Sequence, residues 1–215
     1  MKKLLLNIGI ACCAFTAKAQ FFIGGGAALN SYRNVGLYPA LQPRLGLDYK
    51  EGKISIIAGF NFSPFKQSNR FGVYYSDSSG KESTTIAYTE KITIHNAFVH
   101  GCYRLGNMEN AFRPKLIMGA SSDLININYS TTKTVPKGLK TTEDLQGGPL
   151  NGPKVDIGIG FDYRSNEKED LNVELILGLP ANQVNGQYVY NPTVTHFGLN
   201  ITYSHYFGKR EYAGW

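Results

Sequence analysis

The sequence has few cysteines and no long hydrophobic run. It holds three cysteines in 215 residues, and Cys12 and Cys13 fall in an N-terminal segment, residues 1–19, that we interpret as a signal peptide. The mature chain then keeps only Cys102, which excludes an intramolecular disulfide and a cysteine-based zinc site. No run approaches the roughly 18 apolar residues of a transmembrane helix. β-Barrels cross membranes without such runs, so a barrel stays open.

The N-terminal segment has the parts of a secretory signal. Lys2 and Lys3 form a basic start, an apolar run follows from Leu4 to Phe15, and Ala17-Lys18-Ala19 offers small residues for cleavage. Such a segment is too short to serve as a membrane span. We therefore predict that residues 1–19 are removed and that residues 20–215 form a single domain.

The charge balance gives no sign of a nucleic-acid partner. The chain has 22 Lys and Arg against 16 Asp and Glu, a net charge of +6. Three of these lysines leave with the predicted signal peptide, so 19 basic residues face 16 acidic ones and the mature charge is +3. A nucleic-acid-binding domain needs a concentrated basic face, and we expect none here.

Segments of alternating apolar and polar residues run through the mature chain. Because successive strand side chains point to opposite faces, each segment predicts a strand with one apolar wall and one small or polar wall. Changes of phase near His95-Asn96 and near Ser121 to Asp123 predict irregularities in the fourth and fifth strands, the first of them a β-bulge. We predict eight strands, at residues 20–30, 41–50, 53–63, 84–105, 114–129, 154–163, 171–179 and 194–207.

The connections between these strands alternate in length. Short ones follow the second, fourth and sixth strands, whereas longer polar ones follow the first, third (66–83), fifth (130–153) and seventh (180–193). Short periplasmic turns alternating with long extracellular loops are typical of outer-membrane barrels, and an even strand count leaves both termini in the periplasm. The fold class predicted is therefore all-β, an eight-stranded antiparallel up-and-down transmembrane β-barrel in the outer membrane.

Alternation alone does not say which wall faces inward, because a lipocalin-like barrel would turn its apolar wall toward a ligand. The polar wall is rich in glycine and small residues, as a narrow lumen requires. Aromatic residues sit near strand ends on the apolar wall, where a membrane girdle belongs: Tyr49, Tyr163, Tyr203 and Phe207. The polar wall also carries charges of both signs, which we predict form a lumen network: Arg44, Asp48, Asp156, Asp162 and Glu174.

The stretch 92–121 carries a resemblance to a known family. It contains an apolar strand ending in Tyr103-Arg104, a small turn, and then Arg113-Pro114-Lys115 before a glycine-containing strand. In this pattern the chain resembles the outer-membrane β-barrel domain family that includes PorT-like proteins. The resemblance implies an eight-stranded outer-membrane barrel. Type IX secretion, the role of PorT itself, is the assembly in which such a barrel could take part. His95 stands where the family has proline, and the chain continues through Lys209 to Trp215.

No motif in the sequence indicates an enzyme, a cofactor or a metal site. Gly24-Gly25-Gly26 lacks the last glycine of a dinucleotide fingerprint, and Pro153 replaces the lysine of a phosphate loop. Two alternatives to a structural or interaction role stay open. A lipid-modifying enzyme would use His196, although Ser204 lies about 26 Å along the strand, too far for a dyad. A small-solute channel would use the lumen charges, although eight strands leave an interior that side chains just fill.

The expected partners are outer-membrane lipid around the barrel and proteins at the extracellular loops. Aromatic residues are enriched in protein interfaces, and two otherwise polar loops carry them. The residues predicted for loop contacts are Phe71, Tyr74, Tyr75, Tyr188 and Tyr190. Packing of the same residues on the barrel rim is an equal alternative.

Overall fold

The computed structural model describes residues 19–32, 36–49, 51–64, 66–141, 148–181 and 195–207. Residues 1–18 of the predicted signal peptide, Tyr188, Tyr190 and the tail 208–215 lie outside these ranges. No helix in the described ranges is long and apolar enough to cross a membrane. The strands found there are β1 (Gln20–Tyr32), β2 (Gly36–Leu41), β3 (Arg44–Tyr49), β4 (Ile54–Asn61), β5 (Gln67–Ser76), β6 (Ser83–Arg104), β7 (Phe112–Ser130), β8 (Gly148–Asn166), β9 (Glu169–Pro180) and β10 (His196–Tyr206).

The strands form one antiparallel sheet that closes on itself. Around the sheet the order is β10, β9, β8, β7, β6, β4, β3 and β1. The first and last strands then pair along their length, from Phe22 opposite Tyr206 to Tyr32 opposite His196. Over the described residues this gives a wall of eight positions, and the predicted all-β, eight-stranded antiparallel barrel is confirmed.

Two positions of the wall are each built from two successive strands. β2 and β3 pair with β1 in one continuous register across Gln42-Pro43, where proline has no N–H to give to the ladder. The predicted second strand therefore begins earlier than Leu41. β4 and β5 both pair with β6, but the register between them shifts by two residues across the link 62–66.

β6 and β7 run through the barrel without any change of phase. Their register continues unbroken from Thr89 opposite Ser130 to Arg104 opposite Lys115, and buried and outward positions alternate along both strands. The predicted irregularities near His95-Asn96 and at 121–123 are therefore wrong. At that level the two faces change in polarity while the pairing stays regular. Register shifts lie elsewhere, between β4 and β5 beside β6 and between Arg164 and Asn166 on β8.

Residues 66–83 form a strand and a turn instead of the predicted long loop. β5 pairs with the first half of β6, and the turn between them has Gly80 at φ 71°. The Ser79 hydroxyl donates to Asp77 at 2.6 Å, and this hydrogen bond holds the pKa of the Asp77 carboxyl below its usual value. Phe71, Val73 and Tyr75 recur at every second position, which is a strand period, and Tyr74 places a ring on the opposite face as well.

An apolar band surrounds the barrel on its outer face. Its members are large hydrophobic side chains that point outward from every position of the wall, and Met118 is 69% exposed. Contiguous apolar surface of this extent marks contact with another molecule or with lipid. Other members on β7 to β10 include Leu116, Val155, Ile157, Ile159, Leu175, Phe197 and Ile201. Three of the four predicted girdle aromatics lie exposed at one end of this band: Tyr163, Tyr203 and Phe207.

Candidate functional site

The end of the barrel that carries the short turns is filled by a ring of ion pairs. Arg104 donates to Asp162 at 2.5 Å and to Asp48 at 3.1 Å. Lys115 donates to Asp162 at 2.6 Å and to Glu174 at 2.7 Å. We call the complete set the ionic ring, and its contacts run in the order Asp48, Arg104, Asp162, Lys115, Glu174 and Arg44.

The ionic ring begins and ends on the same strand and links β3, β6, β7, β8 and β9 through the interior. Arg44 and Asp48 both lie on β3, and Arg44 donates to Glu174 on β9 at 2.9 Å. Every member is almost completely buried. Three cations face three carboxylates, so the charges of the ring balance. Because a buried charge is costly unless it is paired, this balance is what allows the ring to fill the interior.

An apolar layer crosses the interior beside the ionic ring. Its buried side chains are Phe22, Ile57, Phe98, Cys102, Ile117, Ile176 and Tyr206. Glycines make room for its rings, because a Cβ on Gly46 would lie 2.3 Å from Phe22 Cζ and one on Gly59 would lie 2.4 Å from Phe98 Cζ. Neither position could carry a side chain without displacing a ring. The middle of the barrel is therefore packed like a protein core.

A hydrogen-bonded polar layer follows on the other side. Side-chain amides form a relay in which Gln42 donates to Asn61 at 2.8 Å, Asn61 to Asn96 at 3.4 Å, and Asn96 to Asp123 at 2.8 Å. Lys154 also binds Asp123. The relay links four neighbouring positions of the wall, since its members come in turn from the β2–β3 link, β4, β6 and β7.

Two histidines complete this polar layer. His100 contacts Asp156 at 2.9 Å, and His196 accepts a hydrogen bond from Lys154 at 3.1 Å. Tyr32 stacks on the His196 ring with centroids 5.3 Å apart. A cavity of about 10 Å³ lies among these groups. Among these described residues the cavity therefore has room for about one water molecule.

Beyond the apolar band, the two faces of the sheet exchange their character. On β6, Ile92 and Ile94 point inward and Lys91 and Thr93 point outward. On β7, Asn126 and Asn128 point outward past Leu124, with isoleucines turned inward. A sheet with an apolar inner face and a polar outer face is suited to water. We call this part the raised sheet: β5, β6 before His95, and β7 after Leu124.

The predicted loop aromatics divide between the two faces of the raised sheet. Tyr74 points outward and is 55% exposed. Tyr75 is only 6% exposed and its hydroxyl lies 2.8 Å from that of Tyr88. Phe71 packs against the Tyr88 and Tyr129 rings. Strand alternation therefore turns Tyr75 and Phe71 toward the inner face of the raised sheet and Tyr74 toward its outer face. Tyr188 and Tyr190 lie outside the described residues.

All five residues predicted for the lumen point inward. Arg44, Asp48, Asp162 and Glu174 belong to the ionic ring, whereas Asp156 pairs with His100. The change of phase predicted for the fourth and fifth strands hides which of their residues point inward, and further buried charged or titratable residues lie beside the five. Unbroken parity would place them, since on β6 His100 and Arg104 share the inward face with Asn96, and on β7 Lys115 and Asp123 share it with Ser121. Lys154 shares the inward face of β8 with Asp156. The missed residues are His100, Arg104, Lys115, Asp123 and Lys154.

His196 and Ser204, the residues considered for a lipid-modifying enzyme, lie inside the barrel. His196 is 3% exposed, and Ser204 accepts from Arg44 at 3.0 Å and from Asn172 at 3.1 Å. In the described part of the chain, no group of three or more His, Cys, Asp or Glu side chains is arranged to hold a metal ion. His196 and Ser204 contact side chains of other strands across the interior of the barrel.

Comparisons with known proteins agree with this fold. No protein-family pattern and no curated protein matches the chain in sequence. Among solved structures, a major outer membrane protein from Thermus thermophilus has a TM-score of 0.57 and 11% identity, covering 88% of this chain and 99% of that one. OprG from Pseudomonas aeruginosa scores 0.49 at 14% identity (88% and 96% covered), and Neisserial surface protein A scores 0.48 at 10% (88% and 97%). At 11% identity, the similarity to the Thermus protein supports the fold only. The other two TM-scores are too low to support a conclusion.

Proposed function

We propose that this chain is a non-enzymatic outer-membrane barrel, closed to solutes, that anchors the raised sheet and displays it for contact with other molecules. The observation that carries the proposal is the exchange of faces along β6 and β7. In their turn-side halves the outward side chains are mostly apolar and the inward ones mostly polar, and in their other halves the outward side chains are mostly polar and the inward ones mostly apolar. The first pattern suits lipid and the second suits water, so one strand crosses the border between the two media.

The height of the apolar band supports a membrane position. On β10 and just beyond it, outward side chains run from Phe197 to Phe207, a length of about 34 Å at roughly 3.4 Å per residue. Strands of membrane barrels tilt by roughly 40°, which reduces this to a height of about 26 Å. The apolar band of outer-membrane barrels is about 25 Å tall. The two heights agree.

A closed lumen is the reason that we propose anchoring over conduction. The ionic ring, the apolar layer and the polar layer occupy successive levels of the interior, and an ion would have to displace paired charges to pass. Purified barrel in a planar bilayer should therefore stay silent, while heat-modifiable migration on a gel reports that it is folded. Discrete conductance steps from folded protein would support the channel alternative instead. A mature chain soluble without detergent would overturn the membrane proposal itself.

The orientation that we propose puts both termini and the short turns in the periplasm and the raised sheet outside. Tyr74→Cys offers a direct test, because Cys102 is buried and would not compete for a membrane-impermeant thiol reagent. Labelling of intact cells through this position is the expected result. Labelling only after the outer membrane is opened would reverse the orientation, and Glu109→Cys in the opposite turn is the matched control.

The displayed surface is proposed to contact a protein of a secretion or other envelope assembly, of the type IX kind. Support comes from the family resemblance of residues 92–121, which lie in the β6–β7 hairpin that carries the raised sheet. Tyr74 is the exposed aromatic that the described part of this sheet offers. A detergent pull-down followed by mass spectrometry should recover a partner that Tyr74→Ser loses and Tyr103→Ser, in the apolar band, retains.

A further inference from the structure

An open groove of about 660 Å³ crosses the outer face of the raised sheet where the apolar band ends. Lys66 lies in the link before β5, Lys91 and His95 lie on β6, and Asn126 lies on β7. Leu124, Asn128 and Asn151 are also among its lining residues. No acidic side chain lines this groove in the described part of the chain.

The positive charge of the groove is not neutralised by its surroundings. Lys66 and Lys91 are exposed and have no acidic partner among the described residues. The direct cross-strand neighbours of Lys91 are Ser68 and Asn128, which are uncharged. Glu90 is next in the chain but points to the opposite face, where Asn69 donates to it at 3.3 Å. Two unopposed ammonium groups therefore face outward together.

The lower edge of the groove coincides with the border of the apolar band. The His95 ring stacks on Phe62 with centroids 5.0 Å apart and planes 4° apart, and Leu124 is the last exposed apolar side chain before Asn126. The Ser63 N–H donates to His95 Nδ1 at 3.3 Å. In a neutral ring the proton is then on Nε2, which can donate to a ligand. The groove thus joins an apolar wall to a cationic, hydrogen-bonding one.

We propose that this groove binds the phosphate of a membrane lipid headgroup. Lys66 and Lys91 supply the opposite charge, His95 and Asn126 supply donors, and the acyl chains lie along Phe62 and Leu124. A free phosphate ion would use the lysines but not the apolar wall, which is why a lipid is the occupant. The site rests on the proposed function, since lipid reaches it only if the apolar band lies in a bilayer.

Lipid binding by the full mature chain, folded in detergent, tests the site. Native mass spectrometry would titrate dioleoyl phosphatidic acid, with dioleoylglycerol as the lipid that lacks phosphate and inorganic phosphate as the ion that lacks chains. A lysine near an anionic lipid surface contributes about fivefold to binding. The Lys66→Gln, Lys91→Gln double variant should therefore bind phosphatidic acid about thirtyfold more weakly. Lys81→Gln, the same change at the distant hairpin turn, should bind like the parent chain.

The outcomes separate the site from the fold. Equal binding of phosphatidic acid by the double variant and the parent overturns the site, as does equal binding of dioleoylglycerol by the parent. Displacement of the lipid by an equal concentration of inorganic phosphate would mean that the groove takes the free ion instead. Heat-modifiable migration and insertion into vesicles are measured on the same samples. Their failure overturns the proposed function, whereas normal insertion without phosphate preference overturns only the lipid site.

Discussion

Replacing Lys115 with methionine should destabilise the barrel strongly, because it opens the ionic ring. Lys115 holds Asp162 at 2.6 Å and Glu174 at 2.7 Å, and all three side chains are buried. Without it, two cations face three carboxylates in the ring. Removing one partner of a buried ion pair costs roughly 3–5 kcal/mol. We expect about 3 kcal/mol, the lower end of that range, because Arg104 still pairs with Asp162 and Arg44 with Glu174.

The assay is urea unfolding of the mature barrel in lipid vesicles, followed by heat-modifiable migration. Lys168→Met makes the same substitution on an exposed turn and should change the free energy of unfolding by less than about 0.5 kcal/mol. A second variant, Lys115→Met with Glu174→Gln, restores the charge balance and should recover part of the loss. A single variant as stable as Lys168→Met, or a double variant with no recovery, would refute the reasoning.

Two further expectations concern packing. Gly46→Ala should lower the free energy of unfolding by about 1–3 kcal/mol in the same assay, because its new Cβ would lie 2.3 Å from a Phe22 ring carbon. Gly101→Ala is the control and should leave the stability unchanged, because its Cβ would lie 3.6 Å from the nearest atom. Equal effects of the two substitutions would contradict the packed interior. Tyr75→Phe removes the hydroxyl contact with Tyr88 at 2.8 Å and should cost about 1 kcal/mol. It should speed proteolysis of the raised sheet without changing heat-modifiable migration, and a variant as resistant as the parent chain would argue against a structural role for that contact.

Strand parity made most of the fold readable from the sequence. The alternation of Val155, Ile157 and Ile159 with Asp156 and Gly158 needs no tertiary knowledge, because it follows from the period of two that every strand obeys. It predicted the barrel class and an inward polar wall. The same rule failed on the fourth and fifth strands, where the inward residues change from polar to apolar. A pattern of hydrophobicity reports the medium on each side as well as the geometry, and here the medium changes.

Residues 66–83 also show what local alternation of hydrophobicity does not predict. Phe71, Tyr74 and Tyr75 are aromatics in an otherwise polar segment, which is why the sequence predicts them on a loop. Only the pairing of β5 with β6 decides that Tyr75 is buried and Tyr74 is not. Pairing between distant segments depends on the whole closed sheet, which no local pattern contains.

The sequence by itself determined that this chain forms strands with one apolar and one polar wall, and hence a barrel with charges inside. Which charges meet was decided only by the tertiary structure. Arg44 and Glu174 are 130 residues apart, and they touch because β1 and β10 close the cylinder and bring β3 and β9 across the lumen. Charge balance could be counted in the chain, but the partners of each buried charge depend on strand order and register, which closure sets.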